Sequence, residues 1–526
     1  MDPVTRRTFL ATAAALGVAA ARPAAATTTV TVRLSLRGPA SGPVPVAFGV
    51  PLPPGRLDDP ARVRVLDAGG RALAADVQAL ESWRVGGREG SVRAIGIRLR
   101  VAADAPAQQV LRVEFNGTAR ARSSLVSPIP FEDTLIDPAG LQGSGVQALL
   151  PAQWLCESGV VGPQAVARAS GPYAGYEQFV ARSFPESLKY LDSDVYHHWL
   201  FDRTATWYTQ YVRTGEPRYL DAAGHAAAFM RAHSTLDGSD AGYFTLKGVD
   251  VKYVYPRGMH VHYLLTGDER ARDAGRIMAR FCLTHWDPVY RPERYLQPGL
   301  GTDPEADRAF WSPRHQAYGL LGVLHGWELT GERVYWDKAR DYIDALDAHQ
   351  RQPPDGHPAD GSFRQNWALY DPNESLLEGA TSPWMMAILV DALFHAWQLT
   401  ADTRIPPMIV RWCDVLDRKG FVPDGSRAYY VMDCLGERSV DDAPAAQEQG
   451  TERHSAELAM TFAMGLYFTR DAAQAARFRR RFARVYAAAL TIDANRPVRA
   501  YNWAFQASSR LVYFMQAVDA RDAHFK

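Results

Sequence analysis

Five successive apolar stretches of this chain end on related phrases: VRTGEPRYLDAA at Thr214, LLTGDERARDAG at Thr266, ELTGERVYWDKA at Thr330, QLTADTRIPPMI at Thr400 and YFTRDAAQAARF at Thr469. A similar tag recurring every 52 to 70 residues is an internal repeat. In each copy an apolar helix of about 16 residues precedes the Thr and a charged amphipathic helix, such as Tyr335 to His349, follows it. The unit is therefore an αα-hairpin. Hairpins with apolar first helices and amphipathic second ones predict an (α/α) toroid of five to six hairpins, with inner helices around an axis and outer helices facing water. An open solenoid is the alternative. The units exceed 50 residues and carry long aromatic-rich insertions at 287–310 and 351–380, which favours the toroid. A sixth inner helix is expected in AYNWAFQASSRLVYFMQAVDA, residues 500–520.

Alignment on the Thr fixes a register. Three positions before it stand Tyr211, Tyr263, Trp327, Trp397 and Leu466, a mostly aromatic set expected to pack between neighbouring hairpins. Fifteen and sixteen positions before it the pairs are polar or aromatic and differ between copies: His198-Trp199, Asp250-Val251, Arg314-His315, Trp384-Met385 and Arg453-His454. In a toroid the inner helices all start at one end, so their first turns and preceding loops surround one cleft. That cleft is expected to collect His197, His198, Trp199, Lys252, Tyr253, Tyr255, Arg257 and His260 from the first two copies. The later copies add Trp311, Arg314, His315, Trp384, Glu452, Arg453, His454, Tyr501, Asn502 and Trp503. Aromatic faces suit sugar rings, and Arg and His supply charge-assisted hydrogen bonds to carboxylates.

The N-terminal part obeys a different period. From Thr27 to Arg122, short alternating runs such as TVTVRLSL, SVRAIGIRLRV and QQVLRVEF are separated by Gly and Pro, predicting a β-barrel or sandwich. Within it, VAFGVPLPPGRL, RVRVLDAGGRALAADVQALESW and REGSVRAIGIRLRV follow in order. This order resembles the N-terminal β-domain of exo-rhamnogalacturonan-lyase-like proteins, in which a GSV turn follows a Trp; the resemblance covers less than a fifth of the chain. Residues 123–189, rich in Gly, Pro and Ser, read as an interdomain wrapping segment, and 190–526 as the toroid.

Residues 1–26 carry Arg6-Arg7, then Phe9-Leu10, an uncharged Ala-rich run and the small-residue end Ala24-Ala25-Ala26. This is the pattern of a twin-arginine export signal and places the mature protein in the periplasm or outside the cell. Fifty-eight basic against 58 acidic residues leave no net charge, so nothing draws the chain as a whole toward nucleic acid or an anionic membrane. No other stretch has the run of about 20 apolar residues that spans a bilayer. Cys156, Cys282, Cys413 and Cys434 show no metal-ligand spacing, and both a Cys413–Cys434 disulfide and buried free thiols fit them. GxxxxGK[ST], GxSxG and HExxH are absent. No metal site is expected from spacing and no cofactor is predicted, with a divalent cation left open.

An exported toroid beside a β-domain resembles polysaccharide lyases and some glycoside hydrolases. A lyase acting on a uronate neutralises the carboxylate, abstracts the C5 proton and protonates the 4-linked oxygen. The resemblance implies an Arg, Asn or His for the first task and Tyr or His for the others. Arg314 and Arg453 are the candidate neutralisers, His315, His454 and His260 the candidate bases, and Tyr253, Tyr255 and Tyr501 the candidate acids. A hydrolase needs two carboxyl groups instead, available at Asp192, Asp194, Glu374, Glu378 and Glu452. A carbohydrate-binding protein without catalysis is the third reading. In all three the partner is a polysaccharide or oligosaccharide, and sequence leaves the oligomeric state open.

Overall fold

The computed structural model describes residues 28–36, 43–101, 108–116, 146–238, 241–286, 288, 312–353, 357–365, 380–423, 425, 427–435, 454–492 and 498–524. The export signal lies outside them.

Seven strands build two antiparallel sheets at the N-terminal end. β1 (Thr28–Leu36), β3 (Arg64–Leu66), β6 (Gln108–Phe115) and β7 (Val146–Leu149) form one in the order β3-β6-β1-β7; β2 (Val44–Pro51), β4 (Ala75–Val85) and β5 (Arg88–Val101) form the other in the order β2-β5-β4. Alternate residues of β1 and β6, including Val30, Val32, Leu34, Leu111 and Val113, are buried, as an alternating pattern requires. β5 instead buries every residue from Val92 to Ile97, the mark of a strand covered on both faces. Its second face meets the helices. β7 comes from the segment read as interdomain and pairs with β1.

Two helices follow, α1 (Ala152–Ser158) and α2 (Ala174–Ser187), and then the hairpins: α3 (Arg203–Thr214) with α4 (Pro217–Ala232), α5 (Pro256–Thr266) with α6 (Glu269–His285), and α7 (Pro313–Thr330) with α8 (Arg333–Arg351). α9 (Pro383–Thr400) with α10 (Ile405–Lys419), and α11 (Ser455–Phe468) with α12 (Ala472–Leu490), continue the series. α13 (Val498–Ser508) and α14 (Leu511–His524) end the chain. The first helices pack side by side in the order α3, α5, α7, α9, α11, α13, and α13 returns to α3. The ring is closed, which an open solenoid is not.

The sixth unit is assembled from both ends of the helical region. α13 and α14 are joined only by Ser509-Arg510, and the outer position beside them is taken by α2, whose Tyr176 hydroxyl lies 2.8 Å from Ser508 Oγ. The 123–189 segment thus supplies a strand to the sheet and a helix to the ring.

The repeated Thr has a specific task. Thr214, Thr266, Thr330 and Thr400 each donate Oγ1–H to the carbonyl four residues back, at 2.7, 2.7, 2.8 and 2.7 Å. Each also accepts from the backbone N–H two residues on, at 3.1, 3.1, 3.0 and 3.2 Å. One hydroxyl thereby joins the end of the inner helix to the start of the outer one. The residue between is left-handed: Gly215, Gly267 and Gly331 at φ 68°, 78° and 70°, and Ala401 at φ 54°. The aromatic set also reaches beyond its neighbours, since Tyr263 donates to Leu80 O at 2.9 Å and Tyr211 accepts from Leu150 N at 3.0 Å.

The inner-helix ends α5, α7 and α9 lie under the β2-β5-β4 sheet. Gly49 of β2 sits so close that a Cβ there would stand 2.1 Å from Leu264 O. The β4–β5 turn, Gly86-Gly87 with both φ positive, donates Gly86 N–H to Leu399 O at 2.7 Å. One end of the ring is covered by the β2-β5-β4 sheet, and the inner helices begin at the other end.

One expectation needs correction. α3 and α5 have 12 and 11 residues, so His198-Trp199 and Asp250-Val251 precede their helices instead of opening them. Asp202 caps α3 and Pro256 occupies the first turn of α5, and each sets a later start. All four cysteines are free thiols.

Candidate active site

Side chains near the starts of four inner helices meet in an aromatic cluster that carries two imidazoles. Trp384 of α9 stacks on His454, with ring centroids 4.8 Å apart and planes 11° from parallel, and meets Trp503 of α13 edge-on at 5.3 Å. His454 lies 4.2 Å from the Trp503 ring, and its Nδ1 is 3.2 Å from Glu457 Oε1. The guanidinium of Arg314 lies over the Trp384 ring, 5.2 Å from its centroid. Next to it, His315 stacks on Trp286 at 5.0 Å and places Nδ1 2.6 Å from the Ser312 hydroxyl. Burial, then the charges of Lys252 and Arg314, hold the His315 pKa well below the usual histidine value. His315 is therefore a neutral imidazole beside two cations.

A strained turn enters from the other side. Phe201 and Asp202 are consecutive non-glycine residues at φ 72° and 31°. Three contacts hold them there: Tyr255 Oη accepts from Phe201 N at 2.9 Å, Asn502 Nδ2 donates to Leu200 O at 3.3 Å, and Asp202 Oδ1 accepts from Ala205 N at 3.0 Å. Phe201 stacks on Trp503 at 5.2 Å, joining the turn to the aromatic cluster. Asp202 is 2 % exposed, and burial pushes its carboxyl up to about 6 against the opposing pull of the Ala205 N–H, Arg257 and the Gly258 N–H. Gly258 permits this approach, since a Cβ there would lie 2.7 Å from Asp202 Oδ1. Tyr318 lies within electrostatic reach of Arg314, Asp202 and Arg257 and donates to Gln506 at 3.0 Å. Near Arg257, Asp391 bridges two cations, 3.3 Å from Arg257 Nη1 and in contact with Arg510.

The described site residues separate into five groups. Arg314, His315, Trp384, His454 and Trp503 come together. Arg257 belongs to the buried network just described. Tyr255, Asn502 and His198 position the loop before α3: the Tyr255 hydroxyl donates to Lys252 O, Asn502 also reaches His198 O at 3.3 Å, and His198 Nδ1 lies 2.7 Å from Ser193 Oγ. Trp199 and Tyr501 pack in the core, Trp199 on Phe229 at 4.1 Å and Tyr501 on Phe505 at 4.6 Å, while Tyr253 packs against Tyr196 at 5.7 Å. His260 stands apart, buried against the β-domain with Nε2 2.8 Å from Glu81 Oε2. His325 and His395 share its level.

Trp311, Glu452 and Arg453, with Glu374 and Glu378, fall outside the described residues. Asp192 is exposed and pairs with His225, and Asp194 is exposed, so neither sits in the ring's interior. The acid that does, Asp202, went unremarked in the sequence because LFDRTATW offers only an Asp before a helix, the commonest capping arrangement. Glu457 was missed as well; it is 1 % exposed, and its Oε2 has no hydrogen-bond partner among the described residues.

No family model and no curated protein matches the sequence. Among solved structures, the unsaturated glucuronyl hydrolase of Bacillus sp. GL1 is similar at 15 % identity and a TM-score of 0.44, over 64 % of this chain and 96 % of that one. A polysaccharide lyase is similar at 13 % identity and a TM-score of 0.44, over 65 % of this chain and 98 % of that one. An α-1,6-mannanase from Salegentibacter sp. HEL1_6 is similar at 10 % identity and a TM-score of 0.43, over 64 % of this chain and 99 % of that one. Identities and scores of this size assign no family.

Proposed function

We propose that the chain is an exported enzyme that cleaves an acidic, uronate-containing polysaccharide by β-elimination at the end of the toroid where the inner helices begin. The observation that carries this reading is the seating of His315: its ring stacks on Trp286, Ser312 holds its Nδ1 at 2.6 Å, and the adjacent Arg314 lies over Trp384. Arg314 would bind the uronate carboxylate and favour the enolate-like charge that develops when C5 loses its proton, while Lys252 Nζ is 3.2 Å from Asp250 Oδ2 and adds only long-range positive charge. The imidazole, uncharged at neutral pH, would take that proton, and Ser312 fixes its ring through Nδ1. Of the expected acids, Tyr255 has its hydroxyl engaged on both sides and Tyr501 faces the core. Asp202, with its carboxyl at about 6, is the better donor to the leaving oxygen.

The same Asp202 favours a second reading, hydrolysis, in which a carboxyl with a raised pKa protonates the glycosidic oxygen and a second carboxylate, with Glu457 as candidate, completes the pair. Incubation with a panel of uronate polysaccharides, followed by ultraviolet absorbance and by reducing-end release, tests both. Elimination gives new reducing ends together with the absorbance of a C=C conjugated to the carboxylate. Reducing ends without that absorbance would transfer the activity to the hydrolytic reading, and neither signal on any uronate polymer would remove the proposal.

A further inference from the structure

Where the β-domain meets the ring, three consecutive inner helices present a histidine at one level: His260 of α5, His325 of α7 and His395 of α9. One turn beyond His325 on the same helix stands Glu328. The four converge with little room between them. His260 Nδ1 lies 3.1 Å from His325 Nδ1, His325 Nδ1 lies 2.9 Å from Glu328 Oε2, and His395 Nε2 lies 2.9 Å from the same oxygen. Glu81 of β4 receives the other face of His260, Nε2 to Oε2 at 2.8 Å. Arg93 of β5 spans both acids, at 2.9 Å from Glu81 Oε1 and 2.6 Å from Glu328 Oε1. Every one of these side chains is buried.

We infer that His260 Nδ1, His325 Nδ1 and Glu328 Oε2 form a binding site for one divalent transition-metal ion, zinc in the first instance, that joins inner helices α5 and α7 beneath the β2-β5-β4 sheet.

Three observations lead there. The first is proton placement. Glu81 accepts, so His260 carries its proton on Nε2 and turns the lone pair of Nδ1 toward His325 Nδ1. Two lone pairs cannot face each other at 3.1 Å, so either a proton or a cation lies between the rings. The second is charge. One guanidinium, Arg93, contacts the two carboxylates of the cluster directly and Arg257 acts on Glu328 only from further off, so the direct partners leave a negative charge that a cation between the rings offsets. The third is geometry. The three candidate ligand atoms lie within 4.8 Å of one another, and their near contacts of 2.9 and 3.1 Å fall a few tenths of an ångström short of the spacing of two ligands on tetrahedral zinc, about 3.4 Å for bonds of about 2.1 Å. Glu81 behind His260 is the carboxylate partner that fixes a ligating imidazole's tautomer, and Arg93 holds the non-ligating oxygen of Glu328. His395 borders the fourth position. Two imidazoles and a carboxylate suit zinc over calcium or magnesium, which take oxygen ligands. On binding, the proton that His325 Nδ1 would otherwise carry is released to solvent.

The readout is metal content and stability, and it is independent of the reaction proposed above. The full chain, made without a histidine tag and purified in chelator-free buffer, should contain about one zinc per chain by elemental analysis, and the cobalt-substituted protein should show the visible bands of a tetrahedral site. His260→Gln and His325→Gln should each lower retained zinc at least about tenfold. A chelator should lower the melting temperature of the parent chain and leave that of the variants unmoved. Parent protein without a stoichiometric divalent ion, whose melting temperature responds to neither zinc nor chelator, would overturn the inference and leave a hydrogen-bonded histidine chain. If the variants fail to fold, the parent's metal content and cobalt spectrum decide the question alone.

Discussion

Replacing Asp202 with Asn should make the protein more stable, and only above a defined pH. The side chain is enclosed, accepts from Ala205 N at 3.0 Å through Oδ1, and has its carboxyl raised from 3.8 to about 6 by burial. The folded chain therefore binds this proton more tightly than the unfolded chain does. The sign follows: stability linked to Asp202 is intact below pH 3.8, declines as pH rises to about 6, and is constant beyond. Two pKa units at about 1.36 kcal/mol each give about 3 kcal/mol lost by neutral pH. Asn reproduces the protonated acid: its oxygen can keep the Ala205 contact, and Asn tolerates the φ of 31° at this position. The variant should match the parent near pH 4 and gain up to about 3 kcal/mol at pH 7 and above. With an unfolding entropy of about 2.1 cal/mol/K per residue over 526 residues, this is a rise in melting temperature of about 3 °C. Scanning calorimetry of both proteins across the range checks it. Equal destabilisation at acid and neutral pH would refute the reasoning and reduce Asp202 to an ordinary charged cap. On the proposed mechanism the same variant loses its leaving-group acid, so turnover should fall at least about 100-fold as stability rises.

Arg314→Ala and His315→Ala should each lower kcat/KM at least about 100-fold on a uronate polymer while far-ultraviolet circular dichroism is retained; activity near the parent's in both would place the chemistry elsewhere. Ala401→Gly should stabilise by about 1 kcal/mol, because Ala401 holds φ 54° where three other helix ends use Gly; calorimetry showing a loss would contradict the capping account. Gly49→Ala should destabilise by about 3 kcal/mol or more, since its Cβ would lie 2.1 Å from Leu264 O and drive β2 off the end of α5. A neutral effect in thermal melts would mean that the β-domain does not bear on the ring.

Most of the ring was legible because one hydroxyl does the same job at four of the five turns; at the fifth, Thr469 donates to Gln474 instead. The Thr before a left-handed residue bonds back to its helix and forward to the next, and that requirement repeats in the sequence as TG or TA. The β-domain was legible through its alternation, although β7 was not, because its pairing with β1 is set by a long-range register. The sixth unit was half visible: its inner helix reads as apolar, but its outer partner α2 lies more than 300 residues away in the chain, as the Tyr176–Ser508 contact shows. The candidate site was legible where the repeat register applied, at Arg314, His315, Trp384 and His454. It failed at α3 and α5, whose late starts moved His198, Trp199 and Tyr253 off the first turns. Asp202 could not be found from its local sequence, since its raised pKa arises from enclosure by α5 and the strained turn. His260 was misplaced for a related reason: only its partner Glu81, in another domain, reveals which end of the helix its ring faces.

The proposed reaction is tested most directly by the masses of its products. Elimination splits the chain without adding water, so a defined uronate oligosaccharide should yield fragments whose masses sum to that of the substrate, the newly unsaturated fragment being one water lighter than its saturated counterpart. Fragments that together exceed the substrate by one water would show hydrolysis and contradict the role given to His315.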